Sequence, residues 1–400
     1  MPGKIHITGS GVVSAIGSGK DATLAALRAG ASGIAPLQYL HADDRSFLAG
    51  EVKLSDDRMK ELLGLAPGHA VSRTSLMGIL ALREALQEAG LGPDDLHGVP
   101  LIGGTTVGGM DRTELYYKDY LAEGNRHAEY IALHDCGAST RAIADWFGGF
   151  AWETTLSTAC SSAANAVILG ANLIKAGLAD IVAVGGSESL SNYHLNGFNS
   201  LMIVDREPCR PFDRTRAGLN LGEGAAFLIL ESDASVRRRG VKPLAEVAGY
   251  GNACDAFHQT ASSENGEGPF LAMTQALRMA GLAPADIDYI NAHGTGTPNN
   301  DASESTAIRR IFGDTCPPVS STKPFTGHTT SASGSIEAVF CLLAMQHGFI
   351  PANLNWREAD ETCLVPVSRL KEGVNLRHVL CNAFGFGGND SSLLLSRCDV

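Results

Sequence analysis

Four short stretches concentrate the side chains able to do chemistry. The first is STACSSAANA, residues 157–166, with Cys160 at its centre. The residues before it, AWETTLS, read as extended. Those after it, AANAVILGANLIKAG, are apolar and long enough for a buried helix. Cys160 therefore stands where a strand turns into a helix. A thiol at a helix N-terminus feels the positive end of the macrodipole and free N–H groups, which favour thiolate. Its own backbone N–H can also face a developing oxyanion. Ser161, Ser162 and Ala163 are small enough to let another segment approach closely. A free cysteine is commonly just a small buried residue, and this stretch alone does not separate the two readings.

The second stretch, NAHGTGTPNND at 291–301, places His293 where a strand runs into a Gly/Thr loop. Ligands of parallel α/β sheets gather at such carboxyl ends of strands, although a structural histidine at a turn gives the same string. Thr295 and Thr297 offer hydroxyls to an amide-bearing ligand, and Asp301 and Glu304 can anchor the next helix. In the third, SSTKPFTGHTTSASG at 320–334, Lys323 and His328 are separated by Pro324 and Gly327, which points to a folded loop rather than one helix face. A cation beside an imidazole disfavours imidazolium and keeps the ring neutral. A neutral ring can donate one N–H to a developing negative oxygen. Glu337, on the helix that follows, can orient Lys323. The fourth stretch, NAFGFGGND at 382–390, sets Phe384 and Phe386 among Gly385, Gly387 and Gly388. Glycines permit unusual backbone angles, so a ring there can gate a pocket and its N–H can join an oxyanion hole. A glycine-rich turn between two final strands accounts for the string as well.

The elements that position these groups are written twice. ALQEAGLGPDDL at 85–96 is echoed by ALRMAGLAPADI at 276–287: helix end, glycine stop, proline-containing turn. ITGSG at 7–11 is echoed by VAGYG at 247–251, and the helix ending near Gly177 by SASGSIEAVFCLLAMQHG ending at Gly348. The order strand, helix, strand, helix, strands thus occurs once in 1–240 and again in 241–400, with the boundary in SVRRRGVKP. Alternation of this kind implies parallel sheets covered by helices. Residues 40–75 and 105–150 fit the repeat poorly and read as insertions over a site or a subunit contact. The GxG strings at 9–11 and 249–251 do not complete a dinucleotide fingerprint.

Composition excludes several classes. The 400 residues, 44% hydrophobic and 18% charged, suffice for a large core. A net charge of -12 argues against general nucleic-acid or anionic-membrane binding. Nine cysteines without a CxxC pair suggest neither zinc nor a disulfide framework, and with no signal peptide favour a reducing cytoplasm. No run is long enough to cross a bilayer.

The motifs ITGSGVVSAIG, TACSS, RPFDRTRAGLNLGEGAA, AHGTGTP, STKPFTGH and NAFGFGG, in this order, resemble the β-ketoacyl-acyl-carrier-protein synthases of the thiolase superfamily, with a leaning towards polyketide and aryl-polyene ketosynthases. The resemblance runs the whole chain. It implies an α/β thiolase-like duplicated fold of two similar halves in five αβαβα layers. It implies a decarboxylative Claisen condensation: an acyl group passes from carrier-protein phosphopantetheine to Cys160, malonyl carrier protein loses carbon dioxide, and the carbanion takes the acyl group. It also implies roles. His293 and His328 stabilise the enolate; the N–H groups of Cys160 and Phe386 form the oxyanion hole; Lys323 supports His328. Thr295 and Thr297 hold the pantetheine arm, Phe386 and Phe384 gate it, and Asp301 and Glu337 support the site. No metal or diffusible cofactor is implied, since the pantetheine arrives on the acyl carrier protein. The implied assembly is a homodimer, with a heterodimer containing a chain-length-factor-like subunit as the alternative. A thiolase, using Cys381 as a second catalytic cysteine, is the rival enzyme.

One region departs from the family. APGHAVSRTSLMG lies where many relatives carry a basic carrier-docking helix, and it offers Arg73 and few other cations. Arg206, Arg210, Arg214 and Arg216 are the candidates for a second basic patch.

Overall fold

The echoed strings fold into echoed elements. The protein is described by a computed structural model covering residues 3–398 except positions 41, 43 and 45, which fall in the first expected insertion. The first half runs β1 (Ile5–Ser14), α1 (Arg73–Ala89), β2 (Leu101–Gly104), α2 (Cys136–Trp146), β3 (Glu153–Leu156), α3 (Ser162–Lys175), β4 (Ile181–Glu188) and β5 (Gly224–Ser232). The second runs β6 (Ala245–Cys254), α4 (Glu267–Ala280), β7 (Tyr289–Asn291), α5 (Pro298–Phe312), β8 (Val319–Ser320), α6 (Ser333–His347), β9 (His378–Gly385) and β10 (Asn389–Ser396).

Pairing is the same in both halves. β1 is antiparallel to β5 and β5 to β4, whereas β4, β2 and β3 run parallel. Likewise β6 is antiparallel to β10 and β10 to β9, whereas β9, β7 and β8 run parallel. The sheets are therefore mixed, not purely parallel as alternation suggests, because each half closes with two strands that pair antiparallel: β9 and β10 through a short turn, β4 and β5 across a longer segment that carries the helix Asn192–Ser200. Among the described residues the two five-strand sets pair edge to edge only at His6↔Glu246 and Ile7↔Ala245.

Helices α3 and α6 lie between the sheets and contact both. In α6 every residue from Ser333 to Met345 is buried, as expected of a helix with no solvent face. Around them Ile7, Val167, Val184, Val339, Leu342 and Leu393 form one core. A second core, with Leu76, Leu80, Leu101 and Phe227, lies under α1, and a third, with Met273, Leu277, Ile290 and Leu394, under α4. The result is the five-layer αβαβα arrangement of a thiolase-like fold.

The AGL echo is a shared helix stop. Gly90 and Gly281 both take left-handed angles, and Leu91 and Leu282 donate back to Leu86 and Leu277. The GxG strings have a packing role. A Cβ on Gly9 or Gly11 would lie 2.1 Å from the carbonyl oxygen of Ala85 or Ala81, and on Gly249 or Gly251 within 2.2 or 2.0 Å of that of Ala276 or Ala272. The glycines let α1 and α4 lie directly on the strand backbone.

The expected insertions are narrower than their sequence limits. Arg73 already begins core helix α1, and α2 is the core helix between β2 and β3. What exceeds the repeat in the second segment is mainly the helix Met110–Glu123 and the turn Ala128–Ile131. No helix among the described residues is long and apolar enough to cross a membrane.

Candidate active site

The Cys160 thiol is presented by a strained turn. Ala159, just before it, has a left-handed φ of 53°, unusual for a residue with a Cβ. The Ser162 hydroxyl locks the turn by donating to the Ala159 carbonyl (2.6 Å) and accepting from the Thr158 N–H (2.9 Å). Helix α3 starts at Ser162, so the sulfur lies at its N-terminal end, 4% exposed. The expectation of a favoured thiolate is overturned. Burial outweighs the N-terminal location and pushes the Cys160 thiol up to about 12, against the opposing pull of Lys323 and the Phe386 N–H.

His293 lies just beyond β7. Its N–H donates to Glu304 Oε1 at 2.9 Å, and that of Gly294 to Oε2 at 2.8 Å. Asn382 on β9 donates to the same carboxylate at 3.0 Å. Asp301 accepts from the N–H groups of Phe212 (2.8 Å) and Gly296 (3.2 Å). Thus Asp301 and Glu304 hold the histidine loop, beyond merely opening α5. Burial raises both carboxyls, Glu304 to about 7.

His328 follows the single helical turn Lys323–Thr326. Its N–H donates to the Asn220 carbonyl at 2.7 Å, tying it to the first half. Its Nε2 lies 3.1 Å from Cys160 Sγ, and its Nδ1 lies 3.1 Å from Ser333 Oγ. The two imidazole rings meet edge to face, centroids 5.1 Å apart. Burial, then the Lys323 charge, holds both well below the usual histidine range, so both rings are neutral. Lys323 is itself buried and donates to Glu337 Oε1 at 2.7 Å. Burial lifts Glu337 to about 6 against that cation. Neither reaches the cavity lining, so both act from behind the rings.

Cys160, His293 and His328 line one cavity of about 300 Å³ together with Thr295, Thr297, Phe384 and Phe386. The two threonine hydroxyls are 2.9 Å apart. Phe386 stacks on Phe198, centroids 5.5 Å apart, a partner that nothing in the sequence singles out. Phe384 belongs to β9 and is 5% exposed, with its ring 5.6 Å from His293 at the cavity wall. Sequence reasoning also misses Ser333 and Asn389, whose importance lies in what they touch across the fold.

Other candidates fall outside the site. Cys381 is buried beside Cys341 and absent from the cavity lining, which removes the second cysteine a thiolase needs. Arg73 is buried and bonded to Glu223 (2.7 Å) and Asp56 (2.7 Å), so it is not a docking cation. Arg216 is likewise buried against Asp360 (2.5 Å), and Arg210 pairs with Asp205 and Glu207. Arg206 and Arg214 are exposed, but each faces an acid, Asp44 and Glu358. No open basic patch results from these five arginines.

Comparison with known proteins agrees over the whole length. Models of the beta-ketoacyl synthase N-terminal and C-terminal domains match residues 3–235 and 244–357. The chain is 35% identical to Nodulation protein E of Rhizobium meliloti (strain 1021), over 98% of this chain and 99% of that protein. It is 33% identical to 3-oxoacyl-[acyl-carrier-protein] synthase 1 of Haemophilus influenzae, over 98% of each. Among solved structures it resembles the ishigamide ketosynthase/chain length factor (34% identity, TM-score 0.93, all of both chains). It also resembles the ketosynthase ApeO in complex with its chain length factor ApeC from Xenorhabdus doucetiae (32% identity, TM-score 0.85, 99% of this chain and 98% of that one).

Proposed function

Since the chain belongs to the beta-ketoacyl synthase family, and so extends acyl chains by Claisen condensation, we propose that Cys160, His293 and His328 are the groups that carry the reaction. The observation behind this is their convergence: a sulfur and two neutral imidazoles, one of them 3.1 Å from the sulfur, lining one cavity.

In the first step the Cys160 sulfur bonds to the acyl carbon of a carrier-borne thioester. The carbon–sulfur bond to pantetheine breaks, and the thiol hydrogen ends on the departing pantetheine sulfur. Covalent capture splits a difficult transfer into two easier ones. In the second step malonyl carrier protein loses carbon dioxide, leaving an enolate. A Ser333 hydroxyl donating into His328 Nδ1 leaves Nε2–H free to meet the enolate oxygen beside His293. The enolate carbon attacks the Cys160 thioester, the tetrahedral oxyanion is met by the N–H groups of Cys160 and Phe386, and the sulfur leaves as thiolate and takes up one proton from solvent. The product is a β-ketoacyl carrier protein two carbons longer. Thr295 and Thr297 hold the pantetheine amides, and Phe386 on Phe198 forms the gate. Lys323, Glu337 and Asp301 position the loops.

The pantetheine arrives on an acyl carrier protein, so no diffusible cofactor or metal takes part. We infer a cytoplasmic dimer. The two structural relatives, each a ketosynthase paired with a chain length factor, support a paired subunit, either a copy of this chain or a chain-length-factor-like relative.

The test is intact-mass spectrometry after incubation with acyl carrier protein loaded with an acyl group. The wild-type chain gains one acyl mass, which malonyl carrier protein then removes as a β-ketoacyl product, and Cys160→Ala gains none. A wild-type chain that never becomes acylated overturns the reading.

A further inference from the structure

The two N–H groups assigned to the oxyanion hole belong to different halves of the molecule. Cys160 lies at the start of α3, and Phe386 lies in the turn between β9 and β10. The link from Phe386 onward is soft, because Gly387 and Gly388 both take left-handed angles (φ 81° and 76°). The next residue is Asn389. Its side-chain oxygen accepts three hydrogen bonds: from Ser161 Oγ at 2.7 Å, Asn165 Nδ2 at 2.8 Å and Asn252 Nδ2 at 2.8 Å. Ser161 is the N-cap residue of α3 and the immediate neighbour of Cys160. Asn165 belongs to the first turns of α3 and also donates to Thr158 Oγ1 at 2.9 Å, on the other side of the strained turn.

We propose that Asn389 is a positioning residue that sets the spacing of the oxyanion hole by tying the Phe386 turn to the Cys160 turn. The inference rests on the reaction proposed above. Two bonds of the glycine turn, Gly387 N–H to Gln259 and Asp255 N–H to Gly388, attach it at 2.7 and 2.8 Å to the loop after β6, while the Phe386 N–H itself bears on the Cys160 sulfur. Asn389 alone among these anchors reaches the nucleophile's own turn. Without it, the Phe386 N–H keeps its attachment to the second half but loses its register against the sulfur. An oxyanion donor acts only when it is aimed at the place where charge develops.

Two reactions of the same sulfur separate positioning from mere folding. Acyl transfer from an acyl thioester forms a tetrahedral oxyanion; alkylation by iodoacetamide forms none. Asn389→Ala is expected to slow acylation of Cys160 about 10- to 100-fold, the scale of a small misplacement of catalytic groups, while alkylation falls much less, because it forms no oxyanion and loses only the pull of the Phe386 N–H on the thiolate. Asn389→Asp keeps an oxygen for the three donors and is expected to restore acylation to within about threefold, the cost of one imperfect hydrogen bond. Equal loss of acylation and alkylation in Asn389→Ala, unchanged acylation in it, or no recovery in Asn389→Asp overturns the proposal. None of these results bears on whether wild-type Cys160 is acylated, so failure here stays distinct from failure of the function.

Discussion

His328 Nε2 lies 3.1 Å from Cys160 Sγ, although 168 positions separate the two residues. One comes from each half of the duplicated chain. The contact exists because α3 and α6, the two helices sandwiched between the sheets, bring their N-terminal turns to the same cavity. Burial then governs the chemistry there. It keeps the imidazoles uncharged, and it holds the thiol protonated until substrate arrives.

That protonation state has a measurable consequence. The Cys160 thiol is raised to about 12 by burial, so at neutral pH only the neutral form is appreciably populated. Thiolate is the form that alkylates. The iodoacetamide rate at Cys160 is therefore expected to rise about tenfold per pH unit from pH 7 to pH 10, without a plateau. A plateau near pH 7–8 in a stopped-flow or mass-spectrometric series means that the helix N-terminus wins over burial, contrary to the balance drawn here.

The histidines separate the two half-reactions. His293→Ala and His328→Ala each remove one N–H from the site of the enolate. Each is expected to slow malonyl decarboxylation about 100-fold or more, the usual effect of losing one such donor, and to slow self-acylation less. Cys160→Ala keeps both rings and should retain some decarboxylation while forming no condensation product. Decarboxylation at the wild-type rate in both histidine variants, followed by release of carbon dioxide, refutes the assigned roles.

The glycine strands offer a test of the fold. Gly11→Ala places a methyl group 2.1 Å from the Ala81 carbonyl, and neither backbone can yield without moving α1 off β1. Overpacking of this kind costs about 1–3 kcal/mol. Gly98→Ala, where nothing lies within 4 Å, is the control. Chemical denaturation should show the loss in the first and not in the second. Equal stability of the two variants shows that the close approach carries no energetic weight.

Much of the architecture was legible because its signals are local. A helix stop such as AGL depends on one glycine in a left-handed turn, and it reads the same at Gly90 and Gly281. The position of Cys160 at a strand–helix junction follows from apolar patterning within some 25 residues of chain. The GxG strings were visible but their purpose was not, since a dinucleotide loop and a strand that must accept a helix both call for glycine. Arg73 looked like a docking cation because charge in sequence carries no sign of burial; its partner Glu223 lies 150 positions away. Phe198 had no signal at all, and Ser333 and Asn389 did not stand out within the third and fourth stretches, for each matters only through a neighbour in another element.

The sequence by itself determined the doubled order of strands and helices, the family to which the motifs belong, and the residue types able to form a thioester and stabilise an enolate. These follow from short-range patterns and from the identity of side chains. The tertiary structure alone decided which of those groups meet, which carboxylates hold the loops, how the two phenylalanine rings pack, and that burial raises the thiol. Those depend on distances through space and on exclusion of water, and both arise only when the two halves close on each other.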